Sequence, residues 1–400
     1  RQRVQQAVER VAKGADVLEV ADALNLRYVD SKNESRSLPT RISFLAEEGG
    51  ARVAAIADTA VVPERYVAFN WKLVEELVAK MTDPDVATIR DNAGLMADFL
   101  VPRDFRAGIV SSASMIYEVD RRMARVHWEM LGDFSGGGAL DKPLALERPV
   151  ARQLRTAYSP PPSRAAAPTD RLRALVVGDP GDPDAGLSLP GARREAIEVA
   201  RMLDALGVEV TALIGAPTAP RTGELAVFAP ASMLDVLVQL RKGFDILHFA
   251  GHGDFRKDDP EKGAGWVFGT ELFTARELGS IDKVPRLTVA NACLTALLSE
   301  QMPQGSRRPG DALLLPGLAD EFFHRGARNY IGTAWPVNDE GAILFARTLY
   351  ETLLAKNGTG CLGDAMLAAR RALHQQESAY GALWAAYQHY GDPGFELLRA

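Results

Sequence analysis

Short apolar segments alternate with amphipathic segments from residue 172 to the end of the chain, and this alternation limits most strongly what the chain can fold into. The apolar runs at 172–177, 208–214 and 244–250 have the length of buried strands. Residues 193–206 place alanine, valine and leucine on one helical face. Strands that alternate with helices are typical of a mostly parallel sheet flanked by helices. The sequence therefore predicts an α/β fold for residues 171–400.

A segment rich in proline and alanine precedes this region. Residues 160–162 are three successive prolines, and residues 165–167 are three alanines followed by Pro168. Successive prolines cannot continue a helix or a central strand, so residues 158–170 are predicted to form a stiff linker. Residues 1–157 also contain short strand and helix patterns. We predict that they form a preceding α/β unit with a regulatory role.

Charge and cysteine content exclude several classes of protein. The net charge of −6 argues against direct nucleic-acid binding, which normally requires a basic surplus. Two cysteines cannot build a disulfide framework and fit a reducing compartment, so we expect a cytoplasmic protein. No apolar run reaches the length of a membrane span, and no membrane partner is predicted. The chain begins without methionine and has no secretory signal pattern, which is compatible with its being part of a longer protein.

Two predicted strands run into residues that can do chemistry. One leads into His252 and Gly253, and the other leads into Cys293. Ligand and catalytic sites of open α/β sheets lie beyond the carboxyl ends of the strands, so neighbouring strands would bring imidazole and thiol together. The imidazole could take the thiol proton and later protonate a leaving amine. The backbone N–H groups of Gly253 and Cys293 are the candidate oxyanion donors. No aspartate or asparagine is clearly placed to orient His252, so a dyad is predicted.

The same residues carry a resemblance to a known family. Residues 245–253 and 289–295 resemble the two catalytic blocks of CHAT domains, which are caspase-like cysteine peptidases related to separase and gingipain. Further similar segments occur in the family's order, at 126–131, 146–150, 272–278, 326–339 and 384–393. The resemblance thus covers about residues 110–398 and is dense from residue 172 onward.

The resemblance implies a caspase-like sheet for residues 171–400 and allows residues 1–157 to be a diverged pseudo-peptidase unit. It implies an endopeptidase in which Cys293 is the nucleophile, His252 is the general base, and a thioester acyl-enzyme forms. It further implies a protein substrate, an activating partner or sensor domain, and a regulated role in bacterial defence or cell death. The alternative is a catalytically silent caspase-like scaffold or adaptor.

Trp335 and Asp339 are the candidate substrate-binding residues. Trp335 follows the strand after the cysteine, in a region that lines the substrate pocket of this peptidase group, but it could equally be a packing residue. Asp339 could select a basic substrate residue, although we favour its interpretation as the N-cap of a helix over 340–354.

The remaining candidates have a structural interpretation. Cys361 and His248 are predicted to be buried structural residues. Residues 178–186 are glycine-rich after a strand but lack a phosphate-binding motif, so they are read as a surface loop at the edge of the site. A zinc site from His248 and His252 lacks a third ligand. No cofactor and no metal are therefore predicted.

Overall fold

A computed structural model describes most of the chain. It covers residues 39–57, 60–81, 86–103, 105, 114–132, 143–155, 171–215, 231–255, 264–278, 281, 284–293, 322, 327–355 and 360–397. The predicted linker at 158–170 and residues 1–38 lie outside the described residues. So do the side chains of a few residues within the elements, among them that of Cys293.

Strands supply the centre of the molecule. In the described part of the chain they are β1 (Thr40–Glu47), β2 (Gly50–Ala57), β3 (Ala60–Ala68), β4 (Met115–Val119), β5 (Val150–Leu154), β6 (Arg173–Gly178), β7 (Glu209–Ile214), β8 (Ile246–Phe255), β9 (Ala264–Phe268), β10 (Glu271–Thr274), β11 (Leu287–Cys293), β12 (Asn329–Thr333) and β13 (Tyr387–Gly391).

Helices connect and cover these strands. The described α-helices are α1 (Trp71–Lys80), α2 (Val86–Leu100), α3 (Leu144–Glu147), α4 (Pro190–Ala205), α5 (Met233–Leu240), α6 (Ala275–Leu278), α7 (Asp339–Leu353), α8 (Leu362–His374), α9 (Glu377–Tyr380) and α10 (Leu383–Ala386).

The strands form one mixed sheet whose centre is parallel. Its order is β7-β6-β8-β11-β12-β13-β5-β4-β1-β2-β3, and the β9–β10 hairpin extends from the far end of β8. Strands β6, β7, β8, β11 and β12 pair in parallel, whereas β13 runs antiparallel to β12. This arrangement confirms the prediction of an α/β fold with a mostly parallel sheet.

The sheet runs from the strands before the proline-rich segment to those after it. Strand β13 pairs in parallel with β5, with Tyr390 opposite Arg152. Strands β4 and β5 are themselves a parallel pair. The predicted boundary at 158–170 stays a prediction, but the strands described on its two sides share hydrogen bonds and a core.

Alternate side chains of each central strand serve different hydrophobic layers. Val176 and Val289 face the layer formed with α4, α7 and α8. Leu175 and Leu247 face the opposite layer, which α5 and the β9–β10 hairpin cover. This two-residue alternation follows from strand geometry and explains why the central strands are apolar on both sides. The α4 and α7 layer is the one that carries the residues described below.

Helices α5 and α7 have side-chain caps. Ser232 accepts a hydrogen bond from the N–H of Asp235 at the start of α5. Asn338 caps α7, because its Oδ1 accepts from the N–H of Gly341 at 2.7 Å. The predicted N-cap Asp339 is therefore wrong by one residue. Asp339 and Glu340 lie in the first turn of α7, where their charges complement the helix dipole.

A buried histidine in β13 is expected to make the fold sensitive to acid. Burial, and then the charge of Arg370, lower the pKa of His389 to about 3. Its Nε2–H donates to Oδ1 of Asn329 at 2.8 Å, and its Nδ1 has no partner among the described residues. The unfolded chain takes up a proton here below pH 6.5 and the folded chain does not, so stability falls between pH 6.5 and about 3.

When the pH falls from 6.5 to 5, we expect the free energy of unfolding to decrease by about 2 kcal/mol more in the wild-type protein than in His389→Gln. Glutamine keeps an N–H donor but has no proton to gain. Urea unfolding at both pH values measures the difference. An identical loss in the two proteins would contradict the prediction.

Candidate active site

Strands β8 and β11 bring the two predicted catalytic positions together. The strands pair in parallel, and the Cα atom of Cys293 lies opposite the Cα atom of His252. Paired strands are about 4.8 Å apart, so the two positions are direct neighbours near the carboxyl ends of the central parallel strands. The side chain of Cys293 lies outside the described residues, and the juxtaposition is therefore one of backbone register.

Strand β8 does not end at the glycines around His252, contrary to the sequence interpretation. It continues to Phe255, and its last residues pair antiparallel with β9, with Gly253 opposite Trp266. Gly251 is required by close packing, because a Cβ there would meet the ring of Phe249 at 2.9 Å and Cδ of Pro180 at 3.0 Å. The candidate oxyanion donor Gly253 thus lies within a strand, one residue beyond His252.

The imidazole of His252 is buried and held by backbone. The residue is 4% exposed. Burial lowers its pKa below the ordinary 6.5, while a hydrogen bond to the backbone of Leu187 and the charge of Asp179 raise it in part. The ring is therefore neutral near pH 7 and can accept a proton. The sequence offered no orienting group, since a backbone carbonyl leaves no signature in a sequence.

Asp179 fixes the segment that contains Leu187. Its carboxylate accepts from the N–H of Leu189 at 2.6 Å and from the hydroxyl of Ser188 at 3.1 Å, and it pairs with Arg193 at 2.5 Å. Asp179 is 1% exposed and has a φ of 47°, which is uncommon for a residue other than glycine. The sequence interpretation as a surface loop holds for the exposed residues 183–186 but is wrong for Asp179.

A cavity of about 160 Å³ adjoins His252. It lies between the ends of β8 and β11 and the first turns of α4 and α7, and its lining includes Glu195, Asn291 and Asp339. Asp339 and His252 thus line the same cavity, and a substrate-binding role for Asp339 stays a prediction. Glu195 and Asn291 could not be assigned to the site from the sequence, because α4 is distant from β11 in sequence.

Trp335 has a different environment. Its ring packs edge-to-face on the ring of His127, with centroids 4.9 Å apart, and it contacts the core on the α4 and α7 side of the sheet. Its neighbours Pro336 and Val337, rather than Trp335, line the cavity beside His252. Its substrate contact stays a prediction.

The residues given a structural role in the sequence analysis are buried. His248 is fully buried and lies within hydrogen-bond distance of Glu195 (2.9 Å) and the hydroxyl of Tyr350 (3.2 Å). Cys361 is buried, and its thiol donates to Oδ2 of Asp364 at 3.0 Å. Both interpretations are confirmed. Within the described ranges, no three histidine, cysteine, aspartate or glutamate residues cluster so as to hold a metal ion.

The sheet order and the parallel pairing of β8 with β11 define an α/β protein with a mostly parallel central sheet. The model of the CHAT domain matches residues 100–392. The chain belongs to the CHAT domain family, which confirms the resemblance found in the sequence. No curated protein matches the chain. Among the described residues, no helix combines the length and the apolar character needed to cross a membrane.

Several solved structures are similar to this chain. The Arg-specific cysteine proteinase gingipain R is 12% identical with a TM-score of 0.46, over 92% of this chain and 79% of that chain. Separase in the Saccharomyces cerevisiae separase–securin complex is 11% identical with a TM-score of 0.41, over 82% of this chain and 20% of that chain. Pro-sf-caspase-1 is 13% identical with a TM-score of 0.31, over 56% of this chain and 87% of that chain.

Proposed function

We propose that the protein is a cysteine endopeptidase in which Cys293 is the nucleophile and His252 is the general base. The observation that carries the proposal is the register of β8 and β11, in which the Cα atom of Cys293 is paired with the Cα atom of His252 on the neighbouring strand. Membership of the CHAT domain family supports it. The buried, largely neutral imidazole of His252 is suited to take the thiol proton.

In the first half-reaction, the Cys293 thiol gives its proton to His252, and the thiolate sulfur forms a bond to the carbonyl carbon of the scissile peptide. The resulting oxyanion accepts hydrogen bonds from the backbone N–H groups of Gly253 and Cys293. The imidazolium then protonates the amide nitrogen, the C–N bond breaks, and the new amine leaves. The acyl group remains attached to Cys293 as a thioester.

In the second half-reaction, His252 takes a proton from water, and the hydroxyl oxygen forms a bond to the thioester carbon. The C–S bond breaks, the carboxylic acid product leaves, and the proton returns to the sulfur. Atoms and charges balance without a cofactor. The hydrogen bond between His252 and the backbone of Leu187 would hold the ring in one orientation through both halves.

The biological setting in this proposal rests on the family resemblance. It is a regulated peptidase in the bacterial cytoplasm that acts on a protein substrate in defence or cell death. A partner or sensor domain would switch it on. The net charge of −6 argues against direct contact with nucleic acid.

A peptide library incubated with wild-type protein, Cys293→Ala and Cys361→Ala tests the chemistry, with the products read by mass spectrometry. We expect wild type and Cys361→Ala to cut the same bonds and Cys293→Ala to cut none. Cys361→Ala is the matched control, because it removes the other thiol of the chain. Cleavage that persists in Cys293→Ala would overturn the proposal.

A second measurement applies if the wild-type protein cuts no peptide in the library. An electrophilic peptide probe should then label Cys293 and spare Cys361, because only an activated thiol reacts quickly. No cleavage and no labelling would overturn the peptidase and favour the silent scaffold.

A further inference from the structure

The cavity beside His252 has an acidic lining. Glu195 and Asp339 both line it, and the described lining residues include no lysine or arginine. The two nearby arginines of α4 are engaged elsewhere, Arg193 with Asp179 and Arg194 with Glu340. The charge of the lining therefore favours a cation over an anion or an apolar group.

A buried acceptor in this lining has no donor. Asn291 is 5% exposed, and its Nδ2 donates to Oε1 of Glu195. A carboxylate accepts only, so this bond fixes which end of the amide is the nitrogen. Oδ1 of Asn291 is left buried with no partner among the described residues. A buried acceptor without a donor is unfavourable, so the site is built for an occupant that donates hydrogen bonds.

Glu195 is held in place behind the cavity. It is 3% exposed, and His248, itself fully buried, lies 2.9 Å from its Oε1. The same oxygen accepts from Asn291. The floor of the cavity is thus a fixed group of polar side chains in which two residues can accept from an occupant.

The outer wall depends on a glycine. A Cβ at position 191 would lie 2.1 Å from the carboxylate of Asp339, so only glycine lets that side chain pack against the first turn of α4. This contact keeps the Asp339 carboxylate at the cavity rather than turned away from it.

We propose that this cavity binds a lysine or arginine side chain of the peptide substrate, the residue just before the cut bond. The cavity holds one long side chain, and Glu195, Asn291 and Asp339 supply acceptors for its cationic end. His252 lines the same cavity, so a residue seated there has its carbonyl next to the proposed dyad. The assignment of the cut position rests on the proposed function, whereas the cation site does not.

The first test is a binding measurement on the full chain that needs no catalysis. Butylguanidinium carries the end of an arginine side chain, and butylurea is its neutral isostere. We expect butylguanidinium to bind at least tenfold more tightly than butylurea, as measured by ligand-observed NMR titration. Glu195→Gln should weaken the binding of butylguanidinium at least tenfold. Asp204→Asn, the same acid-to-amide change at an exposed position of α4, should leave it unchanged.

A second variant tests the cation site independently, in case Glu195→Gln does not fold. Ala192 lines the cavity, and Ala192→Leu adds volume to it without changing any charge. We expect this variant to keep its fold by circular dichroism and to lose butylguanidinium binding. Retained binding in folded Ala192→Leu, or equal binding of the two small molecules to wild type, would overturn the cation site.

Matched peptides then test the cut position. Peptides that differ only in arginine or citrulline before the scissile bond should differ at least 100-fold in kcat/KM. If butylguanidinium binds, no peptide is cut and the electrophilic probe does not label Cys293, the cation site stands and the peptidase fails. If peptides are cut after apolar residues and butylguanidinium does not bind, the peptidase stands and the cation site is overturned.

Discussion

Glu129→Gln is expected to lower the free energy of unfolding by about 3–5 kcal/mol. Glu129 and Arg152 are both fully buried, and their side chains form an ion pair with two hydrogen bonds. Arg370, also fully buried, has its Nη2 3.8 Å from Oε1 of Glu129. A neutral glutamine would leave two buried guanidinium groups without a counter-charge, which is costly in a medium of low dielectric constant.

The pKa values of the two arginines reflect this balance. Burial acts to lower the pKa of Arg152, but the charge of Glu129 and the hydrogen bonds that Arg152 donates to Glu129 and to the hydroxyl oxygen of Tyr390 outweigh burial and raise it. Burial lowers the pKa of Arg370 to about 10, because Glu129 offsets burial only in part. Both arginines remain charged near neutral pH, so both depend on the one carboxylate.

The network also joins strands from the two sides of the proline-rich segment. Arg152 belongs to β5, and Arg370 donates to the backbone oxygens of Val150 in β5 and Tyr387 in β13. Loss of Glu129 should therefore weaken the junction of β5 and β13 rather than a single loop. We expect one cooperative unfolding transition at a lower urea concentration.

Glu75→Gln is the matched control for this prediction. Glu75 pairs with Arg122 at 3.4 Å, but both side chains are about half exposed, and such surface pairs contribute about 0–1 kcal/mol. Urea unfolding of wild type and both variants compares a buried with an exposed pair of the same chemistry. A Glu129→Gln loss within 1 kcal/mol of the Glu75→Gln loss would contradict the argument.

Local patterns predicted the elements whose sequence signal is strong. The apolar runs at 172–177 and 208–214 match β6 and β7 to within one residue at each end. The β9–β10 hairpin could not be located from the sequence, because its strands are short and mixed in character. The antiparallel strand β13 was also missed, since its residues are aromatic and polar and have no clear alternation.

The residues of the candidate site also differ in whether they have a local sequence signal. His252 and Cys293 could be placed from strand ends and family resemblance, because each strand and its last residues are local features. Leu187, Glu195 and Asn291 could not, because their roles depend on how α4 and its preceding loop pack against β8 and β11. A backbone carbonyl or a buried amide becomes a feature of a site only through such packing.

His252→Gln is expected to lower kcat/KM by about 10²–10⁴ on any peptide that wild type cuts, the range that a lost general base or acid causes. Glutamine keeps polar character in a place that is 4% exposed, so the fold should survive. His374→Gln is the matched control, since His374 lies at the end of α8 with a side chain 40% exposed. We expect it to cut at the wild-type rate.

The pH profile separates loss of a base from a merely structural defect. Burial lowers the pKa of His252, and a lower pKa means that the neutral ring persists at lower pH. Wild-type kcat/KM should therefore fall to half only below pH 6.5, the value of an unperturbed histidine. The residual activity of His252→Gln should lack this acid limb. A wild-type midpoint at or above pH 6.5, or the same limb in the variant, would show that another group supplies the proton transfer.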